Sequence, residues 1–418
     1  MGRAVTRWGL IGVVWGALAA EVTAAPHEES QHPPLPVDPA LSLGDVLSHA
    51  LSRYPAAGEL AARTDEVDAW QSRSASALAN RPALSFRYQT DRWGDDAGLR
   101  EYEGGVELPL WRWGERRAAR SYAGAMAVEA GAAAHGLRWQ VAGLLRTAVW
   151  NVAEAERHLV TAVSAYDVAG RLAASVARRH ELGDVSLGDV LLARSAHLQA
   201  ETELLDVRAS LLDAQRSYRA LTELEARPVI EAEAQSAVAA IVSTHPALAL
   251  VEAQLAGARA RQTLVREGTG GSPTLLIGPR WERPALGSGY DDSIGVTLTV
   301  PLAGTSHSRT ELAASGREVA AAVARRDQLR RMLTLDLHEA EHGLEVAREN
   351  LQTATERADL ARRHARMGRR AYDQGEMDLM DLLKVEEAAM AAQWQAARLD
   401  IEVGRQIAMY NQAVGEMP

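Results

Sequence analysis

The sequence predicts a mainly α-helical chain with a small β part, built as two tandem repeats that each carry a strand pair and long coiled-coil helices. Three observations predict it. Matched turn residues recur at a spacing of 191 to 192 from Pro55 onward, the longest segments follow a seven-residue apolar period, and four short segments alternate with period two.

Pro55 pairs with Pro246 and Pro82 with Pro273 at an offset of 191 residues, and Pro109 pairs with Pro301 at 192. The offset of 192 then holds to the end, matching Gly183 with Gly375, Leu187 with Leu379, Asp189 with Asp381 and Leu191 with Leu383. Chance does not keep one register across so many punctuation residues. The first repeat covers 41–228 and the second 229–418. Each has a helix after its first proline, over about Ala56 to Asn80 and about Ala247 to Glu267, then two extended segments, a very long helix, a turn and a return helix.

The extended segments have two unlike faces, the mark of a strand. Ile294, Val296, Leu298 and Val300 oppose Gly295, Thr297 and Thr299. Tyr102, Gly104, Val106 and Leu108 oppose Glu103, Gly105 and Glu107, and Leu84, Phe86 and Tyr88 oppose Ser85, Arg87 and Gln89. The fourth segment, Thr274 to Trp281, is less regular. Trp93, Trp111, Trp113 and Trp281 stand at the ends of these strands, as in the interfacial girdles of membrane barrels. A soluble hairpin with core aromatics is the other reading of the same pattern.

The long helices carry heptad seams. Leu145, Val152, Leu159, Tyr166 and Ala173 recur at a, with Ala148, Ala155, Ala162, Ala169 and Val176 at d. The second repeat answers with Leu337, Leu344, Leu351, Ala358 and Ala365, and with Ala340, Ala347, Ala354, Ala361 and Gly368. The return helix repeats Leu191, Leu198, Leu205 and Leu212 at the same period. From Trp113 to Leu182 such a helix runs about 105 Å at 1.5 Å per residue, longer than any compact domain needs.

Composition narrows the function classes. The 418 residues carry a formal charge of -10, which argues against nucleic acid as a partner, since no excess of positive charge is present to displace phosphate counterions. Cysteine is absent, which excludes disulfides, zinc thiolates, a thiol nucleophile and a lipid-accepting cysteine. Arg3 and Arg7 precede the apolar stretch Trp8 to Ala20, followed by small residues, so 1–24 reads as a signal peptide and 25–40, rich in Pro, Glu and His, as a flexible leader. No later segment reaches the ~20 apolar residues of a spanning helix, which leaves an exported protein that is periplasmic or an outer-membrane barrel.

The paired repeats, the His-Pro and Tyr-Pro helix starts, the strand ends Leu108-Pro109-Leu110 and Val300-Pro301-Leu302, and the Gly-x-x-x-Leu-x-Asp turns together resemble the TolC-like outer-membrane factors. The likeness runs from about Leu41 to the end. The segment from Trp281-Glu282-Arg283 through Asp291-Asp292 to Pro301 is similar to the heavy-metal, CzcC-like branch. The resemblance implies a homotrimer in outer-membrane lipid, a 12-stranded barrel continued by a periplasmic α-helical tube. It implies a passive duct, with a periplasmic adaptor and an inner-membrane pump of the resistance-nodulation-division or similar type as partners. Four strands cannot close a barrel and open sheet edges cannot be left in lipid, so physics favours the trimer as well.

The same resemblance places Asp381 at an aperture ring, makes Tyr372 and Asp189 latch positions between neighbouring helix pairs, and makes the tip residues Gly183, Asp184, Leu187, Gly375, Glu376 and Leu379 the adaptor contact. Lys384 falls one helical turn after Asp381, where another acid often sits, and Ala303 to Arg309 lacks the aromatic of the first strand-to-helix junction. The tip acids also have a plainer reading, as solvated helix caps.

No catalytic residue, cofactor or metal site is expected. His338-Glu339-Ala340-Glu341-His342 satisfies H-E-x-x-H, but the register puts both histidines at b and f, away from the seam, where the first repeat has Arg146 and Trp150. His27 and His32 belong to the polar leader, and Gly268, Gly270 and Gly271 precede a strand instead of joining strand to helix. The expected function is an efflux duct, with heavy-metal, drug or protein cargo open. The rival from another class is a periplasmic coiled-coil scaffold or adhesin.

Overall fold

The computed structural model describes residues 35–302 and 305–418. The signal segment, most of the leader and part of the second strand-to-helix junction lie outside the described residues. The element order is α1 (Leu43–Arg53), α2 (Ala57–Ala75), β1 (Ala83–Thr90), β2 (Arg100–Pro109), α3 (Glu115–Glu181), α4 (Leu187–Thr222), α5 (Pro246–Gly268), β3 (Thr274–Arg283), β4 (Asp291–Thr299), α6 (Thr305–Asp373) and α7 (Leu379–Ala413). The two repeats are plain in this order: helix, hairpin, long helix, return helix, twice.

α3 has 67 residues and α6 has 69, each about 100 Å long at 1.5 Å per residue. Both seams are inside. Leu145, Val152 and Val176 are fully buried on α3, and Leu337, Leu344, Ala358 and Ala365 are buried on α6. α4 packs along the tip half of α3, where Leu204 and Val207 meet Ala162. α2 lies along the strand half, where Trp70 meets Tyr122 edge-on and Arg63 reaches Glu129. α5 lies against α3 too, with Leu250 packed over Gly136. α2 ends at Ala75, short of Asn80, because the Arg116 guanidinium takes the Ser74 and Ala75 carbonyls and Trp111 Nε1 takes that of Ser76 at 3.0 Å.

The return helix departs from expectation. Its buried stripe is Ala193, Leu204, Val207, Gln215 and Tyr218, whereas Leu191, Leu198 and Leu205 are exposed. α4 therefore has two apolar stripes, and in one chain the leucine stripe covers nothing.

Midway along the long helices a non-repeating girdle holds the protomer together. α1, absent from the sequence reading, buries Val46, Leu47 and Ala50 against Val141, Leu145 and Val149. A capping box of Ser42 and Asp45 starts it. Leu35 to Asp38, the end of the stretch read as leader, is held: Leu35 is buried in this core and Asp38 N–H donates to Arg227 O at 2.8 Å. The segment 223–245 then crosses the helices. Glu233 pairs with Arg146 at 2.6 Å, Arg227 with Glu156, and Tyr410 Oη donates to Val238 O at 2.7 Å.

Arg146 and Trp150 accordingly do not face outward. Arg146 is 0% exposed and Trp150 packs over Gly404, because segment 223–245 and the end of α7 cover that face of α3. Their counterparts His338 and His342 are exposed, as the register predicts.

The His-Pro start of α5 has a local cause. His245 Nδ1 accepts from Ala247 N–H at 3.2 Å as the helix cap, and Pro246 occupies the first turn, where its missing N–H is harmless. His245 is 1% exposed, edge-on to Trp139, and burial holds its imidazole below the ordinary value of 6.5. A depressed folded value means the neutral ring stabilises the fold. That contribution is complete above pH 6.5 and is lost as pH falls through the lowered value. Melting curves should show stability falling on acidification below pH 6.5, and His245→Asn, which keeps a capping side chain, should flatten that part of the profile.

Candidate functional site

Two regions hold the candidate functional residues, the helical tips and the strand sheet at the opposite end of the long helices. At the tips both long helices stop in the same way. Gly183 N–H donates to His180 O and Asp184 N–H to Arg179 O, both at 2.9 Å. Gly375 and Glu376 repeat the pair on Tyr372 O at 3.1 Å and Ala371 O at 2.8 Å. The glycines have φ of 85° and 79°, the left-handed region that this C-terminal cap needs.

The equivalent acids Asp189 and Asp381 do different things. Asp189 closes a capping box: its carboxylate accepts from Ser186 N–H at 3.0 Å, and Ser186 Oγ accepts from Asp189 N–H at 3.2 Å. The Ser186 hydroxyl holds the Asp189 carboxyl below the usual range. In the second repeat Asp378 is the cap, accepting from Asp381 N–H at 2.7 Å, which leaves the Asp381 carboxylate in solvent with Lys384 Nζ 3.2 Å away.

Tyr372 joins the two hairpins. It is 6% exposed in a cluster with Val176, Ala193, Leu379 and Leu382, drawn from both repeats. The Arg179 guanidinium lies 5.0 Å from its ring centre, and burial raises the phenol above its usual range. Nearby, Arg369 and Glu386 make a 2.6 Å ion pair beside a cleft of about 190 Å³ lined also by Arg171 and Asp373. Sequence reasoning missed Arg179, Arg369 and Glu386, since their partnerships appear only when the helix ends are brought together. Of the tip residues, Gly183, Asp184, Leu187, Gly375 and Glu376 are at the surface, with Leu187 59% exposed. Leu379, its counterpart, is 4% exposed under the Tyr372 cluster and so does not present itself to a partner in the single chain.

The sheet is antiparallel in the order β1-β2-β3-β4. Its register puts Leu84 opposite Val106, Val106 opposite Ile277, and Ile277 opposite Val296. Cross-strand partners share a face, so Tyr88, Phe86, Leu108, Leu275, Trp281, Ile294 and Leu298 all lie on that one apolar side. It covers nothing in the single chain: Leu84 is 88%, Phe86 75% and Ile294 79% exposed. The other side carries Arg87, Glu101, Glu103, Glu107, Arg280, Glu282 and Asp291. Trp93 and Trp281 mark the hairpin end of the sheet, Trp111 and Trp113 the helix end. β1 and β4 are its edges, with no strand beyond them among the described residues.

A glycine row bends the sheet. Gly278 and Gly295 pair on the polar side, and Gly105 stands on the same side of β2. A Cβ on Gly278 would overlap the Gly104 carbonyl oxygen, and one on Gly105 would sit 2.9 Å from Ile277 O. β2 and β3 therefore approach so closely on the polar side here that only glycine fits at Gly278, a close approach of the kind found where a sheet bends. Strands of 8–10 residues match the ~9–11 of a membrane β-strand. No helix among the described residues is long and apolar enough to cross a membrane.

No family model matches the chain, and no curated protein matches it. Solved structures do. The outer membrane protein VceC of Vibrio cholerae superposes with a TM-score of 0.73 at 16% identity, covering 90% of this chain and 96% of that one. The CmeC outer membrane channel of Campylobacter jejuni gives 0.72 at 15%, over 89% and 85%. CusC, a protein that folds into a transmembrane channel, gives 0.69 at 14%, over 94% and 99%. The chain has the fold of these outer-membrane channels along nearly its whole length, which bears out the TolC-like resemblance of its sequence.

Proposed function

We propose that this chain is one protomer of an outer-membrane efflux duct, a passive conduit and not an enzyme. The observation that carries the reading is the bent four-stranded sheet with one bare apolar face and two open edges, leading directly into two helices of 67 and 69 residues. Such a sheet is stable in lipid only when its edges are paired. Three copies supply twelve strands and close a barrel, with the apolar side to lipid and the polar side to water. The exposed Leu191, Leu198 and Leu205 stripe on α4 then packs against a neighbouring protomer, and the helices extend the barrel as a tube. A periplasmic adaptor contacts the tip turns around Gly183 and Gly375, and an inner-membrane pump delivers cargo. Heavy-metal cations as cargo rest on the Trp281 to Pro301 pattern alone.

Fractionation tests this reading against a periplasmic scaffold. The duct sediments with outer membranes and migrates differently in gels before and after boiling; a scaffold is released in the soluble periplasmic extract and shows no such shift.

Asp381 lines the aperture in this reading, and Lys384 beside it screens the charge. Like-signed side chains around a narrow passage focus the field, so planar-bilayer recordings should show Asp381→Asn weakening cation preference and block by divalent cations. Lys384→Gln should strengthen both. Asp189→Asn should do less, because that carboxylate is engaged in its helix cap.

A further inference from the structure

We propose that the barrel end of the duct is itself a cation-selective filter, set by the polar side of the sheet and independent of the helical tips. The inference rests on the duct reading above, which turns that side toward the lumen.

The charge on this side is unbalanced. Glu101, Glu103, Glu107, Glu282 and Asp291 face two guanidinium groups, Arg87 and Arg280. Each chain therefore has an excess of three negative charges on this side, and a trimer nine. Both arginines are already engaged. Arg280 lies 2.9 Å from Glu101 and 2.8 Å from Glu282, and Arg87 is 3.8 Å from Glu103. Among the described residues Glu107 and Asp291 have no ion-pair partner.

The register arranges these charges in rows across the strands. Glu101 pairs with Glu282, and Glu282 with Asp291, so three carboxylates stand side by side near the hairpin end. Directly opposed like charges weaken a sheet; Arg280 offsets the two carboxylates it bridges, Glu101 and Glu282, and leaves Asp291 without an ion-pair partner among the described residues. The next row on this side carries Arg87, Glu103, Arg280 and Ser293, and the row after it, nearer the helices, is Gly105, Gly278 and Gly295, which present no side chain to the passage. Three copies of this arrangement make a wide ring of acid followed by a smooth collar, with low-dielectric walls that focus its field on the lumen.

The test is the reversal potential of the full-length protein in planar bilayers under a potassium chloride gradient. Asp291→Asn with Glu107→Gln should cut the potassium-over-chloride preference several-fold while Asp381→Asn leaves a clear residue of it. Because the chain has no cysteine, Asp291→Cys offers a second arm in an assembled pore. An anionic thiol reagent should restore the preference and a cationic one should lower it further. Pores that conduct with the parent's reversal potential in the double variant, or that ignore the sign of the reagent, overturn the filter. A parent protein that forms no pores would instead overturn the duct reading on which the filter rests.

Discussion

Gly278→Val should abolish trimer assembly while Gly104→Val should leave it intact. The two glycines lie in adjacent strands on opposite faces of one sheet. A Cβ on Gly104 meets nothing within 4 Å, so valine fits there, and in the proposed barrel it would only add lipid contact. A Cβ on Gly278 overlaps the Gly104 oxygen and comes too near the Gly105 backbone. Overpacked cores cost about 1–3 kcal/mol when flexible side chains can yield. Here the obstacle is backbone in a hydrogen-bonded ladder, so the cost is larger and falls on the bend that, in the proposed barrel, lets β4 of one chain meet β1 of the next. Unboiled gel migration of membrane extracts reads the result directly. Equal trimer yields for the two variants would show that the sheet closes without that bend.

Arg146→Met should destabilise the protomer by about 3–5 kcal/mol, the loss expected when one partner of a buried ion pair is removed. Arg146 is 0% exposed and makes four hydrogen bonds: two to the Glu233 carboxylate at 2.8 and 2.6 Å, one to Gln412 Oε1 at 2.6 Å and one to Glu416 O at 3.0 Å. Without it Glu233 remains as an uncompensated charge, and segment 223–245 loses its main tie to α3. Apparent melting temperature should drop, and a glutamate-specific protease should cut at Glu231. Replacing Arg146 and Glu233 together by methionine should recover much of the loss, since a well-packed apolar pair often matches a buried ion pair. A single variant as stable and as protease-resistant as the parent would mean the girdle is held elsewhere.

The contrast between sheet and girdle explains what the sequence could and could not disclose. The seams and strands were legible because each is periodic: every a and d residue from Leu337 to Gly368 is buried or half-buried, and the paired strands alternate as written. Gly183 and Gly375 announced their turns because the cap needs a left-handed residue. The girdle has no period. Segment 223–245 follows no repeat, so its place over α3 comes from ion pairs between residues far apart in sequence, 71 positions for Arg227 and Glu156 and 87 for Arg146 and Glu233. A heptad register taken alone put Arg146 on an outer surface for this reason. α1 was readable and missed: Ser42 and Asp45 form a capping box ahead of the buried Val46, Leu47 and Ala50. At the tips, Asp189 and Asp381 occupy matched positions yet differ in role, because Ser186 precedes one and Asp378 the other.

The central claim, that three copies of this chain close one barrel, is tested most directly by the mass of the detergent-extracted protein, measured by light scattering on a sizing column. The account predicts a single species with the protein mass of three chains, its sheet edges paired between neighbours. A monodisperse monomer extracted from the outer membrane would contradict it, because β1 and β4 would then stand unpaired in lipid.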